Sequence, residues 1–305
     1  MKLVSVVIPC YKDSSTLARA IDSVIKQTYK NIEIIIINDC SPETAEIELV
    51  LNQYHNVNYF KNPANMGLAA TRNKGMELAK GHIIAFLDAD DEYLPEKIRL
   101  QVDALDENTV VTCAVVNVYP NGHNIDKARA MRIFNSPNSL IYRNTLNGAG
   151  LLGPKNLLLL HGGYDVTLRS CEDYDLWLRL LSVGVTVKDI GKPLYLYYFN
   201  PLGLSKNINE ISKWELETIK RHAVRMGSIW QSTYHYASAI FFRLCVHLFR
   251  AELAKNEALR LQTVKNKLLL NEFTVIQTSF CTIAYLRLML VPVFLIKLRN
   301  KLTSK

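Results

Sequence analysis

Short apolar runs alternate with amphipathic stretches along the first 90 residues of the chain. Four runs are rich in branched aliphatic residues and end near a proline or a polar turn, which is typical of strands buried on both faces. They are Leu3–Pro9, Ile32–Ile37, Val57–Phe60 and His82–Leu87. Between them, apolar residues recur with a helical period. The order βαβαβαβ predicts a mostly parallel sheet with helices on both faces.

Residues that commonly cap helices precede two of the predicted helices. Ser14 or Ser15 is expected to begin the first, and Asn65 is expected to cap a helix from Gly67 to Ala79.

The pattern is weaker in the second half of the chain. Thr109–Val118 predicts another strand, and Glu172–Leu181 predicts an amphipathic helix. Thr186–Ile190 and Leu194–Phe199 are expected to form strands of a second, smaller sheet. Beyond Lys206 the pattern is helical.

Polar residues cluster immediately after three of the predicted strands. The clusters are Tyr11–Asp13, Asn38–Ser41 and Asp88–Asp91. In an open α/β sheet the carboxyl ends of the strands border a crevice where ligands bind. The sequence therefore predicts one ligand site at this edge.

Three carboxylates follow the fourth strand. Asp88 and Asp90 project to the same side of an extended chain, which suits a divalent cation that also binds phosphate oxygens. The alternative is a solvated acidic turn before the next helix, with Asp91 as a cap.

Asp39 and Arg72 are further candidates for ligand contact. Asp39 ends the second strand, where its carboxylate is expected to accept a hydrogen bond from a base or a ribose; an Asx turn is the alternative. Arg72 lies near the start of the Gly67–Ala79 helix, where a guanidinium favours phosphate. The alternative is a solvated surface arginine.

Asp173 opens the Glu172–Leu181 helix on the face that carries its apolar stripe, whereas Asp175 points away from that stripe. A carboxylate at the mouth of a core is placed as a general base would be. The helix N-terminus is expected to keep it ionised. Simple complementation of the helix dipole is the alternative.

The basic charge of the chain is concentrated at one end. Residues 206–305 contain 16 Lys and Arg against 6 Asp and Glu, and residues 1–205 contain 20 against 22. The basic part includes two apolar helical stretches, Tyr234–Phe249 and Phe280–Ile296, and the second is short for a membrane span. We expect contact with an anionic membrane surface. A helical cap or an oligomer interface is the alternative.

The six cysteines are scattered, with no CxxC pair and no metal-ligand spacing, and a chain of this length does not need disulfides for stability. This pattern indicates reduced thiols and a cytoplasmic location.

Three segments, in this order, resemble family 2 glycosyltransferases with the GT-A fold. They are SVVIPCYKDSSTLARAIDSVIKQTYKNIEIIIINDCS, NPANMGLAATRNKGMELAKGHIIAFLDADD and GGYDVTLRSCEDYDLWLRL. The resemblance covers about residues 1–200. It implies an α/β domain over 1–205, with a Rossmann-like, mostly parallel nucleotide-binding sheet and a small second sheet. A helical region over 206–305 would follow.

The resemblance also implies roles for individual residues. Nucleotide-sugar binding is implied for Pro9, Tyr11, Asp13, Asp39, Arg72, Asp88 and Ala89. Asp88 and Asp90 would bind Mn²⁺ or Mg²⁺. Asp173, with Glu172 beside it, would be the catalytic base.

The sequence departs from the family pattern at two positions. Lys12 stands where asparagine is common, and Cys40 stands where glycine, asparagine or another small residue is usual. Neither departure removes a charge that the implied mechanism needs. The segment Asn144–Gly153 is either a flexible acceptor loop or a run of ordinary turns.

The implied reaction is inverting transfer of a sugar from a nucleotide-diphosphate donor, with UDP expected, to a hydroxyl of a glycan or lipid-linked acceptor. We expect it to serve surface polysaccharide or glycolipid assembly at the inner face of the cytoplasmic membrane, with no nucleic acid as partner. The chain lacks the QxxRW motif of processive members, which favours single addition. Two rival functions are nucleotidyltransfer, which the glycine-free loop PCYKDSS disfavours, and non-catalytic nucleotide-sugar binding or membrane scaffolding.

Overall fold

The computed structural model describes residues 1–120, 122–125, 128–141, 144–200 and 208–225. Its strands are β1 (Val4–Cys10), β2 (Ile32–Asn38), β3 (Val57–Lys61), β4 (Ile83–Phe86), β5 (Glu92–Tyr93), β6 (Thr109–Tyr119), β7 (Gly122–Ile125), β8 (Arg132–Phe134), β9 (Leu152–Pro154) and β10 (Thr186–Tyr198). Its helices are α1 (Ser14–Ile25), α2 (Thr44–Leu51), α3 (Leu68–Leu78), α4 (Lys97–Asp103), α5 (Lys155–Leu160), α6 (Glu172–Ser182) and α7 (Ile208–Arg225).

One sheet contains all ten described strands, in the order β3-β2-β1-β4-β9-β6-β10-β5, with β7 beside β6 and β8 beside β10. The run β3-β2-β1-β4 is parallel, as the sequence predicted. The other half is mixed, because β9 is antiparallel to β4 and β6 while β6 and β10 are parallel. The predicted parallel order therefore holds for the first half only.

The prediction of a second, smaller sheet is wrong for the described residues. It had assigned that sheet to Thr186–Ile190 and Leu194–Phe199. Both stretches belong to β10, which stays paired with β6 through two shifts of register between Asp189 and Tyr195. Gly191 lies there with a φ of 68°. Glycine and proline interrupt the apolar run in the sequence, yet they produce a bulge in the strand and not its end.

Helices cover both faces of the first half of the sheet, as predicted. Val6 and Ile8 of β1 belong to a core cluster that includes Leu17 of α1. Val7 points to the opposite face, because side chains alternate along a strand. There it contacts α3 at Gly75 so closely that a Cβ on Gly75 would lie 2.2 Å from Val7 Cγ1.

The predicted caps of α1 and α3 are wrong. Asp13 occupies the N-cap position of α1, and the Ser14 hydroxyl instead donates to Glu43 Oε2. Gly67 occupies the N-cap position of α3 with a φ of 86°, a left-handed conformation that favours glycine. Long-range hydrogen bonds decide both ends, and the local cap pattern does not contain them.

The chain divides into two compact units, one of residues 1–140 with 144–207, the other of 141–143 with 208–305. The apolar stretches Tyr234–Phe249 and Phe280–Ile296 lie outside the described residues. Among the described helices, none combines the length and the apolar character that a membrane crossing needs.

We predict that Gly75→Ala destabilises the protein by about 1–3 kcal/mol, because the new methyl group would overlap Val7. The same change inside an unhindered helix stabilises by about 1 kcal/mol, so the sign is diagnostic. Urea unfolding measures the difference. In a double-mutant cycle with Val7→Ala, the combined loss should be smaller than the sum of the two single losses. Additive losses would show that this contact is not the cause.

Candidate active site

The ends of β1, β2 and β4 and the start of α6 border the site, and three of their loops hold non-glycine residues in left-handed conformations. Lys12, Cys40 and Cys171 have φ values of 63°, 54° and 63°. Asparagine and glycine adopt this region most readily, which explains why those types are usual at the first two positions. The Lys12 amide donates to Ser41 Oγ at 3.0 Å and so joins the loops after β1 and β2.

Asp39 fixes the loop that leads into α3. Its carboxylate is 4% exposed and accepts hydrogen bonds from Asn62 Nδ2 and from the Met66 and Gly67 amides, each at 2.8 Å. The alternative of an Asx turn at Asp39 is not formed, and the preceding Asn38 accepts a hydrogen bond from the Ser41 amide, three residues on, through Oδ1. The position of α3 relative to β2 therefore depends on Asp39.

Arg72 joins two carboxylates that are distant in the sequence. Its guanidinium donates from Nη2 to Asp88 Oδ1 and from Nη1 to Glu172 Oε1, both at 2.8 Å, and it is 3% exposed. Burial opposes the charge, but Asp88 and Glu172 outweigh burial and hold the pKa of Arg72 above its ordinary value. The alternative of a solvated arginine is wrong.

Asp91 anchors the end of β10 and does not cap a helix. Tyr195 Oη donates to Asp91 Oδ2 at 2.8 Å and accepts from the Asp88 amide at 3.2 Å, while the Tyr198 amide donates to Asp91 Oδ1. Burial, with the charges of Asp88 and Asp90, raises the pKa of Asp91 to about 8. The alternative of a solvated acidic turn is therefore wrong for Asp91.

Negative charge accumulates beside Asp88 and Asp90. Burial, together with the charges of the neighbouring Asp90 and Asp88, raises the pKa of Asp13 to about 6. Burial and the charge of Asp88 likewise raise the pKa of Asp90. This surplus suits a cation. Among the described residues, however, no three acidic, histidine or cysteine side chains converge on one metal position, so ligand oxygens would have to complete the coordination.

The remaining residues implied for the nucleotide differ in accessibility. Tyr11 is 40% exposed, and its amide donates to Asp13 Oδ2 at 2.9 Å. Pro9 is buried opposite Ile37 of β2, and Ala89 packs in the core. A ligand would therefore meet the backbone, not the side chain, of Pro9 and Ala89.

Asp173 lies in a partly buried position at the first turn of α6. Its Oδ1 accepts from the Tyr174 amide at 2.7 Å. Gly148 lies directly against it, and a Cβ on Gly148 would be 2.1 Å from Asp173 Oδ2. The sequence predicted that the helix N-terminus keeps Asp173 ionised. This prediction is wrong, because burial and the charge of Glu172 raise the pKa of Asp173 to about 7.

Asp175, which the sequence predicts to point away from the apolar stripe of α6, is nevertheless buried. Its Oδ2 accepts from Arg179 Nε at 2.6 Å. The same guanidinium donates to the backbone oxygens of His161 and Gly163, which follow α5. Arg179 lies four residues after Asp175, a spacing at which side chains meet on a helix. The sequence could not show the further contacts of Arg179 to His161 and Gly163.

The family model of glycosyl transferase family 2 matches residues 5–164, which is more than half of the chain. The chain belongs to this family. Relatives include an uncharacterized glycosyltransferase of Rickettsia bellii, 30% identical over 75% of this chain and 33% of that protein. Another, from Escherichia coli, is UDP-Glc:alpha-D-GlcNAc-diphosphoundecaprenol beta-1,3-glucosyltransferase WfgD, 29% identical over 59% of this chain and 70% of that protein. The chain spans about one third to three fifths of the first curated relatives.

Solved structures confirm the GT-A class of the fold. S. aureus TarS 1-349 superimposes with a TM-score of 0.61 at 18% identity, over 81% of this chain and 72% of that one. Its complex with UDP-GlcNAc superimposes with a TM-score of 0.62 over the same shares of the two chains.

Several residues that shape this family 2 site had not been predicted from the sequence. Tyr195 connects Asp88 to Asp91, and Arg19 donates to the Asp90 backbone oxygen while stacking 3.7 Å from the Tyr198 ring. Gly148 contacts Asp173. None carries a local signal, since each contact joins segments at least 25 residues apart.

We predict that Arg72→Gln destabilises this family 2 member by about 3 kcal/mol, because it leaves Asp88 and Glu172 without their shared counter-ion. Arg99→Gln is the matched control, since Arg99 also joins two carboxylates, Glu96 and Asp103, but on the surface. It should leave the free energy of unfolding nearly unchanged. Urea unfolding compares the two variants, and an equally small loss in both would contradict a structural role for the Arg72 bridge.

Proposed function

We propose that this chain is an inverting glycosyltransferase that moves a sugar from a nucleotide-diphosphate donor to an acceptor hydroxyl. The observation that carries the proposal is Asp173. It has a pKa near 7 and is linked through Glu172 and Arg72 to Asp88 at the end of β4. A base that titrates near neutral pH both accepts and releases a proton readily.

The proposed reaction is a single displacement. The acceptor oxygen attacks C1 of the donor sugar from the side opposite the diphosphate, while Asp173 takes the hydroxyl proton. The new C1–O bond forms as the bond from C1 to the diphosphate oxygen breaks, and that oxygen keeps the electron pair. Configuration at C1 is therefore inverted.

The charged residues at the strand ends would support the departure of the diphosphate. Asp88 and Asp90 would hold Mn²⁺ or Mg²⁺, which neutralises charge on phosphate oxygens. Arg72 adds a fixed positive charge beside Asp88. Tyr11, Asp13 and Asp39 border the crevice where the base and ribose would bind.

The names of the neighbours support a UDP-linked donor and a lipid-linked acceptor. Two TarS structures contain UDP-GlcNAc and UDP, and WfgD is named for UDP-Glc and a diphosphoundecaprenol acceptor. The basic composition of residues 206–305 fits work at an anionic membrane surface. We therefore propose surface polysaccharide or glycolipid assembly at the inner face of the cytoplasmic membrane.

One prediction of the proposed function concerns binding of the donor. A panel of nucleotide sugars titrated by calorimetry should show binding of a UDP-sugar with Mn²⁺ or Mg²⁺ and at least about tenfold weaker binding in EDTA. Asp90→Ala should abolish the metal effect, whereas Asp103→Ala, an exposed aspartate on α4, should not. Equal affinity in EDTA would refute the metal role, and no binding of any nucleotide would refute the donor site.

A second prediction separates catalysis from mere binding. Asp173→Asn should lower kcat about 1,000-fold and leave UDP affinity unchanged, because the base is lost while the donor contacts remain. A nucleotide-sugar binder or scaffold would lose nothing. In the wild type, kcat/KM should rise with pH through about 7 as Asp173 ionises. Release of pyrophosphate in place of a nucleoside diphosphate would favour nucleotidyltransfer.

Asp173→Asn should also stabilise the fold, and more so at about pH 8 than at about pH 5. The pKa of Asp173 is raised in the folded state, so the folded protein binds more protons, and ionisation destabilises it as pH rises from the unfolded pKa toward 7. Thermal unfolding at both pH values measures the effect. A gain that does not grow with pH would contradict a carboxylate whose pKa is raised in the folded state.

A further inference from the structure

Residues 147–151, here called the base loop, form a wall of the space around Asp173. Gly148 contacts Asp173 so closely that a Cβ there would lie 2.1 Å from Oδ2 and 2.4 Å from Cβ. Its backbone oxygen also accepts from the Leu151 amide, which closes the turn. Any displacement of this loop would change the room beside the proposed base.

Polar side chains hold the base loop on both sides of Gly148. Thr112 Oγ1 of β6 donates to the Asn147 backbone oxygen at 2.7 Å. Gln101 Nε2 of α4 donates to the Gly150 oxygen at 2.8 Å, and Lys97 Nζ lies 3.4 Å from the same oxygen. The loop is thus tied to the sheet and to α4, which argues against the flexible acceptor loop.

Lys97 is an unusual member of this cluster. It is 0% exposed, and its Nζ donates to Gln101 Oε1 at 2.6 Å and lies 3.9 Å from the centre of the Tyr93 ring. No carboxylate pairs with it within the described part of the chain. Burial lowers its pKa to about 8. A buried ammonium without a counter-ion weakens a fold, so packing alone does not account for a lysine here.

We propose that Lys97, acting with Gln101, is a positioning residue that holds the base loop at the distance from Asp173 that the acceptor hydroxyl requires. The inference rests on the proposed function. Lys97 orients the Gln101 amide, and both groups bind the Gly150 oxygen, two residues from Gly148. Small displacements at a reacting centre lower rates steeply, so this arrangement contributes to catalysis although neither side chain touches substrate.

The full-length chain with Lys97→Met tests the proposal. Methionine keeps the unbranched shape of the side chain, is one atom shorter and removes the donor. We expect kcat to fall about 10- to 100-fold, UDP affinity to stay unchanged and the midpoint of thermal unfolding to stay or rise. Hydrogen exchange at the Leu151 amide should become faster, because its bond to Gly148 loosens.

Lys155→Met is the matched control. Lys155 Nζ also donates to backbone oxygens, those of Ala79 at 2.6 Å and Glu77 at 3.2 Å, but at the far end of α3. This variant should lower the unfolding midpoint and leave kcat and the exchange of Leu151 unchanged. If Lys97→Met folds poorly, Gln101→Glu serves as a second variant. The glutamate keeps the shape of the glutamine side chain and removes the donor to the Gly150 oxygen. It should give the same loss of kcat.

Several outcomes would overturn the proposal. Unchanged exchange at Leu151 in both Lys97→Met and Gln101→Glu would show that these residues do not hold the loop. Faster exchange with an unchanged kcat would show that the loop position does not matter for transfer. A parallel loss of UDP affinity and unfolding midpoint would assign Lys97 a general structural role. Exchange is read without substrate, so absence of transfer by the wild type would refute the proposed function separately.

Discussion

The bridge from Arg72 to Asp88 and Glu172 is the contact on which the rest of the site depends. One carboxylate follows the end of β4 and the other lies at the start of α6, two elements that are far apart in the sequence. A buried guanidinium satisfies both at 2.8 Å, which places the segment with the proposed metal ligands and the helix of the proposed base in a fixed relation. Lysine could not do this, because a single ammonium lacks the planar fork.

Acidic residues of the same type perform different tasks because their surroundings differ. Asp39 accepts three hydrogen bonds and acts as a structural anchor. Asp91 is buried against Tyr195 and holds the end of β10. Burial and the charge of Glu172 raise the pKa of Asp173 to about 7, and the positive charge of Arg72 limits this rise. Arg72 thus favours a base that still ionises near neutral pH.

The sequence predicts the first half of the fold because its signals are local. Strands β1 and β2 are buried on both faces and appear as continuous apolar runs, and α1 shows a helical stripe. Contacts between distant segments decide the features that failed, such as the continuity of β10 along β6 across Gly191 and the burial of the Asp175–Arg179 pair against the chain after α5. The motifs in the sequence identify the candidate residues around Asp88 and Asp173. They do not show that Arg72 joins these two groups.

The two sides of the site are built on different physical terms. The donor side rests on charge, with carboxylates at the ends of parallel strands balanced by Arg72. The wall over Asp173 rests on neutral backbone oxygens held by Thr112, Gln101 and Lys97. Hydrogen bonds to backbone oxygens do not depend on the side chains of the loop that they hold. Outside Gly148, which has no room for a side chain against Asp173, substitutions in the base loop can therefore alter the acceptor while the placement of the base, set by α6 and Arg72, stays the same.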